Sequence, residues 1–495
     1  MQGGDAAAAL DAHLDRPRTT DPGSGVDSGS GADATPGEAI DLRADTLPRG
    51  PAAWLRSALT GGQSSLTLGL LFDGVASYVF LSAAARDLGP YRFAMVSVLW
   101  VVLFLIGNGL FIPVEQELSR SIAARAARGS GWGSLVRRVT AASGAVLVLA
   151  LALGVLARGH LADSLFRGDQ TFVWLLLGGL VGVWLMFVLR GVLSGERRFH
   201  AYGLMFVADA TAKALPGVGL LWWGALRPSS YGLVVAGSAY AGIAVAYACL
   251  RWRRARPIGS TGDVLTPDPT APDQPPPWGR LSSSMGFLLL TSFLSALAIN
   301  IGTVAIEVTG TRVDADKAGI FLSGLVIARI PLFLFQAIQA IVLPRLSLLA
   351  ARGDLLGFRA DLRRLNLAMG VTTVVATVAA AALGPLAIQI LFGEEFALLG
   401  ARDMALLTLS SLLMTVALTL NQAQIALHHQ RQTGWPWGVA TAAFLAVVAT
   451  NGRDVFLRVE LGMVAAGAVA ALLVVLLVHR ELRHPDELRA ETPAL

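Results

Sequence analysis

"IARIPLFLFQAIQAIVLPRLSLLAARGD", residues 327–354, is apolar enough to lie in a lipid bilayer, yet it carries Arg329, Gln336 and Gln339 and closes on Pro344 and Arg345. A charged side chain at the centre of a bilayer costs about 3 kcal/mol or more unless a cavity or a partner compensates it. "LGPYRFAMVSVLWVVLFLIGNGLFIPVEQELSRSIAARAARGS", residues 88–130, has the same layout: a glycine near the start, a late amide, a proline, then a basic, alanine-rich tail. Both stretches therefore call for the chemistry of a membrane interior, and their likeness calls for a repeat.

Composition points the same way. Hydrophobic residues make up 54% of the 495 positions and charged ones 15%, and the mean hydropathy is +0.60, too apolar for a soluble protein. Apolar runs long enough to cross a hydrocarbon core of roughly 30 Å as helices lie near 64–84, 91–113, 137–157, 171–194, 203–225, 231–250, 281–307, 318–344, 366–391, 401–427, 434–450 and 461–478. The expected fold is all-α and polytopic, with about twelve transmembrane helices in two six-helix halves.

The segments between these runs set the boundaries. Residues 1–55, rich in Gly, Ala, Ser and Asp without apolar periodicity, read as a disordered tail; 56–254 form the first half. Residues 255–280, containing "PIGSTGDVLTPDPTAPDQPPPWG", read as a Pro-rich linker that only tethers; 281–480 form the second half and 481–495 a short tail. No secretory signal is visible at the start.

Orientation follows from arginine, because cytoplasmic loops hold an excess of Lys and Arg. The segments after the second, sixth and eighth spans carry Arg120, Arg125, Arg128, Arg137 and Arg138; Arg251, Arg253, Arg254 and Arg256; and Arg345, Arg352, Arg359, Arg363 and Arg364. The alternate segments carry acids such as Asp163, Asp169, Asp314, Glu394 and Glu395. Both termini are then cytoplasmic. The pI near 9.8 is accounted for by topology, so no nucleic-acid partner is expected. Cys249 is the single cysteine, which excludes an intrachain disulfide.

An offset of about 230 residues sets the first half on the second with the same orientation, a parallel repeat of the kind in which transporters place their substrate site between the halves near the bilayer midplane.

"RGVLSGERRFHAYGLMFVADATAKALPGVGLL" (190–221), "KAGIFLSGLVIARIPLFLFQAIQAIVLPRLSLLAARGD" (317–354) and "ILFGEEFALLGARDMALLTLSSLL" (390–413) resemble, in turn, helices four and five, helix eight, and the opening of the last third of polysaccharide-type flippases in the multidrug, oligosaccharidyl-lipid and polysaccharide exporter (MOP) superfamily. The resemblance covers most of residues 60–480. It implies a MATE/MOP-like fold and movement of a lipid-linked, polyprenyl-diphosphate glycan from the inner to the outer leaflet for envelope polysaccharide synthesis. The long tail and the linker depart from the family core. The tail offers a place for glycan-assembly enzymes to dock.

A sparse set of ionisable residues falls near mid-depth. Arg329, Lys213 and Arg190, with the amides Gln336 and Gln339, form the candidate substrate-binding set. A guanidinium fork can hold two phosphate oxygens at once, and it cannot shed its charge to escape burial. The competing reading of Arg329 is a packing partner of Asp73 or Glu307. Asp73 and Asp209 are the candidate ion-coupling pair. Asp209 stands at i, i+4 from Lys213, which fits either a neutralised structural pair or a lysine able to exchange Asp209 for an anion. Asp73 reads as a protonated or hydrogen-bonded acid, or as a coupling group. Arg190, Arg197, Arg198 and Arg345 suggest an inner vestibule or anchors for anionic lipid. Asn108, Asn300, Asn421, Gln422 and Gln424 fit hydrogen bonds between helices. His428 and His429 lack a third ligand at usable spacing, so no metal is expected. Without a Walker-type glycine loop, neither ATP nor another cofactor is expected.

Three other functions compete with the flippase. A membrane glycosyltransferase would need an outer catalytic loop, and the outer loops are only about 6 to 14 residues long, so no enzyme is expected. An ion-coupled multidrug exporter of the same superfamily would favour an acidic cavity. A non-transporting scaffold would act through the tail.

Overall fold

The structure, a computed structural model, describes residues 64–126, 128–255, 273, 278–309, 317–331, 349, 355–426, 434–450 and 454–483. Gln336, Gln339, Arg345, His428, His429, the N-terminal tail and most of the linker lie outside the described residues.

Twelve α-helices carry the described chain: α1 (Ser64–Ala126), α2 (Gly133–Leu156), α3 (Arg158–Leu165), α4 (Gln170–Gly195), α5 (Phe199–Trp223), α6 (Pro228–Ala255), α7 (Trp278–Thr309), α8 (Lys317–Ala328), α9 (Leu355–Phe392), α10 (Ala401–Ala426), α11 (Trp435–Val448) and α12 (Val455–Arg483). Among the described residues nine helices are long and apolar enough to cross a membrane, and α8 and α11 are shorter apolar helices. The protein is a multi-pass membrane protein. Its lipid face is plain on α9, where Leu367, Val371, Val374, Val378, Leu383 and Ile390 are all exposed.

α1 joins the first two expected spans. Its 63 residues would reach about 95 Å if straight, so the element must break, and it does so at Gly89 (φ 66°, ψ 169°). Glycine accepts that positive φ without a Cβ clash, and Pro90 has no N–H with which to continue the helical ladder. The helix after the break runs through Pro113 to Ala126, so Arg120 and Arg125 stand on a helix rather than in the expected loop. α9 likewise starts at Leu355, not near 366, which makes Arg359, Arg363 and Arg364 helical. Further boundary corrections are small: α7 begins at Trp278 inside the expected linker, and α12 spans Val455–Arg483 rather than 461–478. The eighth span is not one continuous helix: α8 ends at Ala328, Arg329 stands in a turn and helical backbone resumes at Ile330. Pro331 explains the break, since it removes the N–H that would bond Ile327 and its ring crowds that carbonyl.

The first half packs α1 against α4, α5 and α6; the second packs α12 against α10 and α11, with α11 and α12 also against α7. The halves meet where α1 lies against α7 and α8. A Cβ at Gly319 of α8 would stand 2.8 Å from Pro90 O, and one at Gly109 of α1 3.0 Å from the Phe293 ring on α7. These glycines bring the two halves into backbone contact.

The turn after α4 and the α1–α2 turn meet at one end, where Trp132 Nε1 donates to Glu196 Oε1 at 3.3 Å. At the same end Asp273 of the linker accepts from Ser134 N at 2.7 Å and faces Arg125 at 3.3 Å. Slight burial opposes its ionisation, but the Ser134 hydrogen bonds and the arginines hold its carboxyl below the usual carboxylate range. The linker therefore does more than tether at this point. The other end is poorer in arginine and joins the breaks and loops at Gly89, Arg167, Leu226, Glu307 and Glu395: Arg92 donates to Leu226 O at 3.1 Å, and Leu226 N to Asp87 at 3.2 Å.

Candidate functional site

Three helices build a charged cluster inside the first half. Lys213, mid-way along α5, places Nζ 2.7 Å from Asp73 Oδ1 on α1 and 2.8 Å from Asp209 Oδ2 one turn away. The Trp100 ring lies 5.6 Å from the same nitrogen. Lys213 and Asp209 are buried and Asp73 is partly so. Asp73 thus has a basic partner from another helix, a contact that sequence spacing on its own helix could not reveal. A lysine between two carboxylates is compensated, and two of its three donors are directed at acids rather than left for a ligand.

Nearer the arginine-rich end, Arg190 on α4 is engaged in the same way. Its Nε donates to Tyr202 Oη at 2.8 Å and its Nη2 lies 3.0 Å from Glu115 Oε2, while Tyr202 donates to Glu115 Oε1. Its guanidinium also stacks over the Phe187 ring at 4.4 Å. Asp73 lies close enough for its charge to act on Arg190, so the two groups form one network: three carboxylates, Asp73, Asp209 and Glu115, face two cations. Glu115 and Tyr202, absent from the expected site, are the residues that close it. Of the proposed inner vestibule, Arg198 pairs with Glu196 at 2.8 Å.

Arg329 differs from both. It stands in the turn that interrupts the eighth span, about 18 Å along the helix from Lys317 at 1.5 Å per residue. Nη2 donates to Ile299 O at 2.8 Å and Nη1 to Asn300 Oδ1 at 3.3 Å. Asn300 is held in turn by Ala296 O at 2.9 Å. Among the described residues no carboxylate lies within ion-pair distance of Arg329. The packing partners considered from sequence are elsewhere: Asp73 binds Lys213, and Glu307 binds Arg167. Tyr78 of α1 donates to Val326 O at 2.7 Å, one turn before Arg329, so the interrupted helix is touched by both halves there. Two neutral acceptors orient the guanidinium without neutralising it, and an interrupted helix near mid-depth is where repeat transporters place their ligands.

Arg329, Lys213 and Arg190 are thus held by different partners. Lys213 and Arg190 belong with Asp73 and Asp209 to the first half's acidic network, whereas Arg329 stands on the second half.

The architecture has solved counterparts. A MATE transporter in the bent conformation superposes with a TM-score of 0.58 at 17% identity, covering 88% of this chain and 98% of that one. An inward-facing multidrug resistance MATE family transporter of the MOP superfamily gives 0.56 at 17% identity, covering 86% and 96%. The Vibrio cholerae MATE transporter VcmN in its bent form gives 0.56 at 14%, covering 88% and 99%.

The fold is the MATE fold.

At these identities the likeness speaks for architecture alone. No family model matches the chain. An uncharacterized protein of Mycobacterium tuberculosis and another of Mycobacterium bovis are each 24% identical to it over 415 residues, covering 80% of this chain and 85% of the relative.

Proposed function

We propose that this protein is an alternating-access transporter of the bacterial plasma membrane that moves a polyprenyl-diphosphate-linked glycan from the inner to the outer leaflet. The observation that carries the reading is Arg329: a part-buried, permanently charged fork at a helix interruption, oriented by Ile299 O and Asn300 and faced by no described carboxylate. A diphosphate would supply two oxygens to that fork and offset its desolvation. The MATE fold, with its two halves meeting at α1, α7 and α8, supports rocking as the means of exposing the site to either face.

A second reading, ion-coupled export of a cationic drug, draws on the network of Asp73, Asp209 and Glu115, whose carboxylates outnumber Lys213 and Arg190, and on the multidrug MATE transporter among the solved structures of this fold. One experiment separates the two. Purified protein in nanodiscs is titrated with a fluorescent polyprenyl diphosphate and with ethidium. The flippase reading expects saturable binding of the diphosphate that Arg329→Gln weakens; binding of ethidium alone, abolished by Asp73→Asn, would replace it with the exporter.

A further inference from the structure

Glu460, six residues into α12, is completely buried, and among the described residues neither carboxylate oxygen accepts a hydrogen bond. Its polar neighbour is another acid, Asp403 of α10, within hydrogen-bonding reach. Asp403 is already occupied by donors: Arg402 Nη2 reaches Oδ1 at 2.7 Å and Gly400 N reaches Oδ2 at 2.8 Å. Two ionised carboxylates offer each other only acceptors, so that contact is repulsive. If one carries a proton, it becomes a donor and the contact becomes a hydrogen bond. Asp403 has Arg402 and a backbone N–H to stabilise its charge; Glu460 has neither. The proton therefore belongs on Glu460.

Among the described residues no other group compensates Glu460. On α10 the charged neighbours are Asp403 and Arg402, the latter largely exposed and committed to Asp403. At the start of α12, Asp454 is held by Lys317 at 3.2 Å, and Arg458 reaches back to Thr450 O. α11 has no ionisable residue. Glu307, near the end of α7, is bound by Arg167. Both acids stand near the arginine-poor ends of their helices, with exposed Arg402 and half-exposed Asp454 beside them. That arrangement gives Glu460 a polar route to the membrane face through Asp403.

We propose that Glu460 and Asp403 form a proton-binding site in the second half of the transporter, with Glu460 carrying the proton in this conformation and Asp403 relaying it to the arginine-poor face. The site is separate from the Asp73 and Asp209 network of the first half, and it is independent of which substrate is carried. In the transfer, the Glu460 O–H bond breaks as an O–H bond to Asp403 forms, and Asp403 passes the proton to water. The helices then hold Glu460 as an anion only in a conformation that opens it to water or a cation.

The test is infrared difference spectroscopy of the full-length protein in nanodiscs. Wild type at neutral pH should show the carbonyl band of a neutral carboxylic acid in apolar surroundings, fading as the pH is raised. Glu460→Gln, equal in size and uncharged like the protonated acid, should fold normally and lack that band, while Asp73→Asn should keep it. An undiminished band in Glu460→Gln would overturn the proposal, as would the absence of such a band from wild type at neutral pH. Sodium added at constant pH should leave the band in place; its loss on adding sodium would make this a metal-cation site instead.

Discussion

Arg167 and Glu307 join the two halves at the arginine-poor end through a forked contact, Nε to Oε1 at 3.0 Å and Nη2 to Oε2 at 3.2 Å. Arg167 takes a φ of 56°, a conformation that costs a non-glycine residue about 1–2 kcal/mol. Tyr91 O at 2.6 Å and the Tyr91 ring hold it there together with Glu307. Nearby, Ser82 and Arg86 of α1 donate to Ile390 O and Leu391 O at the end of α9. These contacts close this end between the halves, and the proposed rocking would have to break them.

Glu307→Gln should therefore favour opening at this end. Losing about 1–2 kcal/mol of closed-state stability would raise the open population roughly 5- to 30-fold. A cysteine at Ser97, buried on α1, placed in a Cys249→Ser background, reports the change. Its labelling by a membrane-impermeant thiol reagent should be slow in the parent and faster with Glu307→Gln. An unchanged rate would mean that Arg167 and Glu307 do not hold this end shut.

The shared lysine predicts a non-additive series. Lys213→Met leaves two acids without their cation and should cost about 3–5 kcal/mol, the scale for breaking a buried ion pair. Asp73→Asn and Asp209→Asn should each cost less, because Lys213 keeps the other acid. The double Asp-to-Asn variant leaves the lysine buried alone and should exceed the sum of the singles. Thermal unfolding of the detergent-purified variants measures all four, and additivity would break the three-residue account.

Much of this was legible in sequence. The described parts of the expected spans fall largely on helices, with the eighth interrupted at Arg329, because unbroken apolar runs have few alternatives in a bilayer. The i, i+4 spacing of Asp209 and Lys213 gave a real contact. What sequence could not give was contact between helices. Asp73 looked partnerless because its lysine lies 140 residues away, and Arg190 looked available because Glu115 and Tyr202 arrive from other helices. Glu460 escaped notice for a simpler reason: the twelfth span was expected to start at 461, one residue past it, whereas α12 begins at Val455. Pro331 did carry a visible signal for the helix interruption at Arg329.

Small residues set another limit. Gly203 of α5 is packed so closely on Ser65 of α1 that a Cβ there would overlap the Ser65 carbonyl, and one at Gly69 would stand 2.5 Å from Gly203 O. Gly203→Ala should push α1 from α5, carrying Asp73 away from Lys213, at a cost of about 1–3 kcal/mol for overpacking. Gly219→Ala, on the same helix with nothing within 4 Å of the added carbon, should instead be neutral or stabilising by about 0.5–1 kcal/mol. Melting temperatures of the two variants should move in opposite directions or differ by several degrees; equal losses would assign the effect to helix propensity rather than contact.

Arg329 yields the sharpest test of function. Removing one charge-assisted contact to a diphosphate should cost about 1.5–3 kcal/mol, a loss of roughly 10- to 150-fold in affinity, so Arg329→Gln should bind a polyprenyl diphosphate that much more weakly. Its stability should hold or rise, because no described carboxylate loses a partner and a neutral amide can still donate to Ile299 O or Asn300. Arg329→Lys should recover only part of the affinity, since a point charge does not reproduce the two-pronged hydrogen bond. Asn300→Ala, which removes an orienting acceptor without touching the charge, should weaken binding less than Arg329→Gln does. Isothermal titration in nanodiscs together with thermal unfolding separates these effects. A folded Arg329→Gln protein that binds the diphosphate as wild type does would remove Arg329 from the site and leave the acidic network of the first half as the place where substrate is recognised.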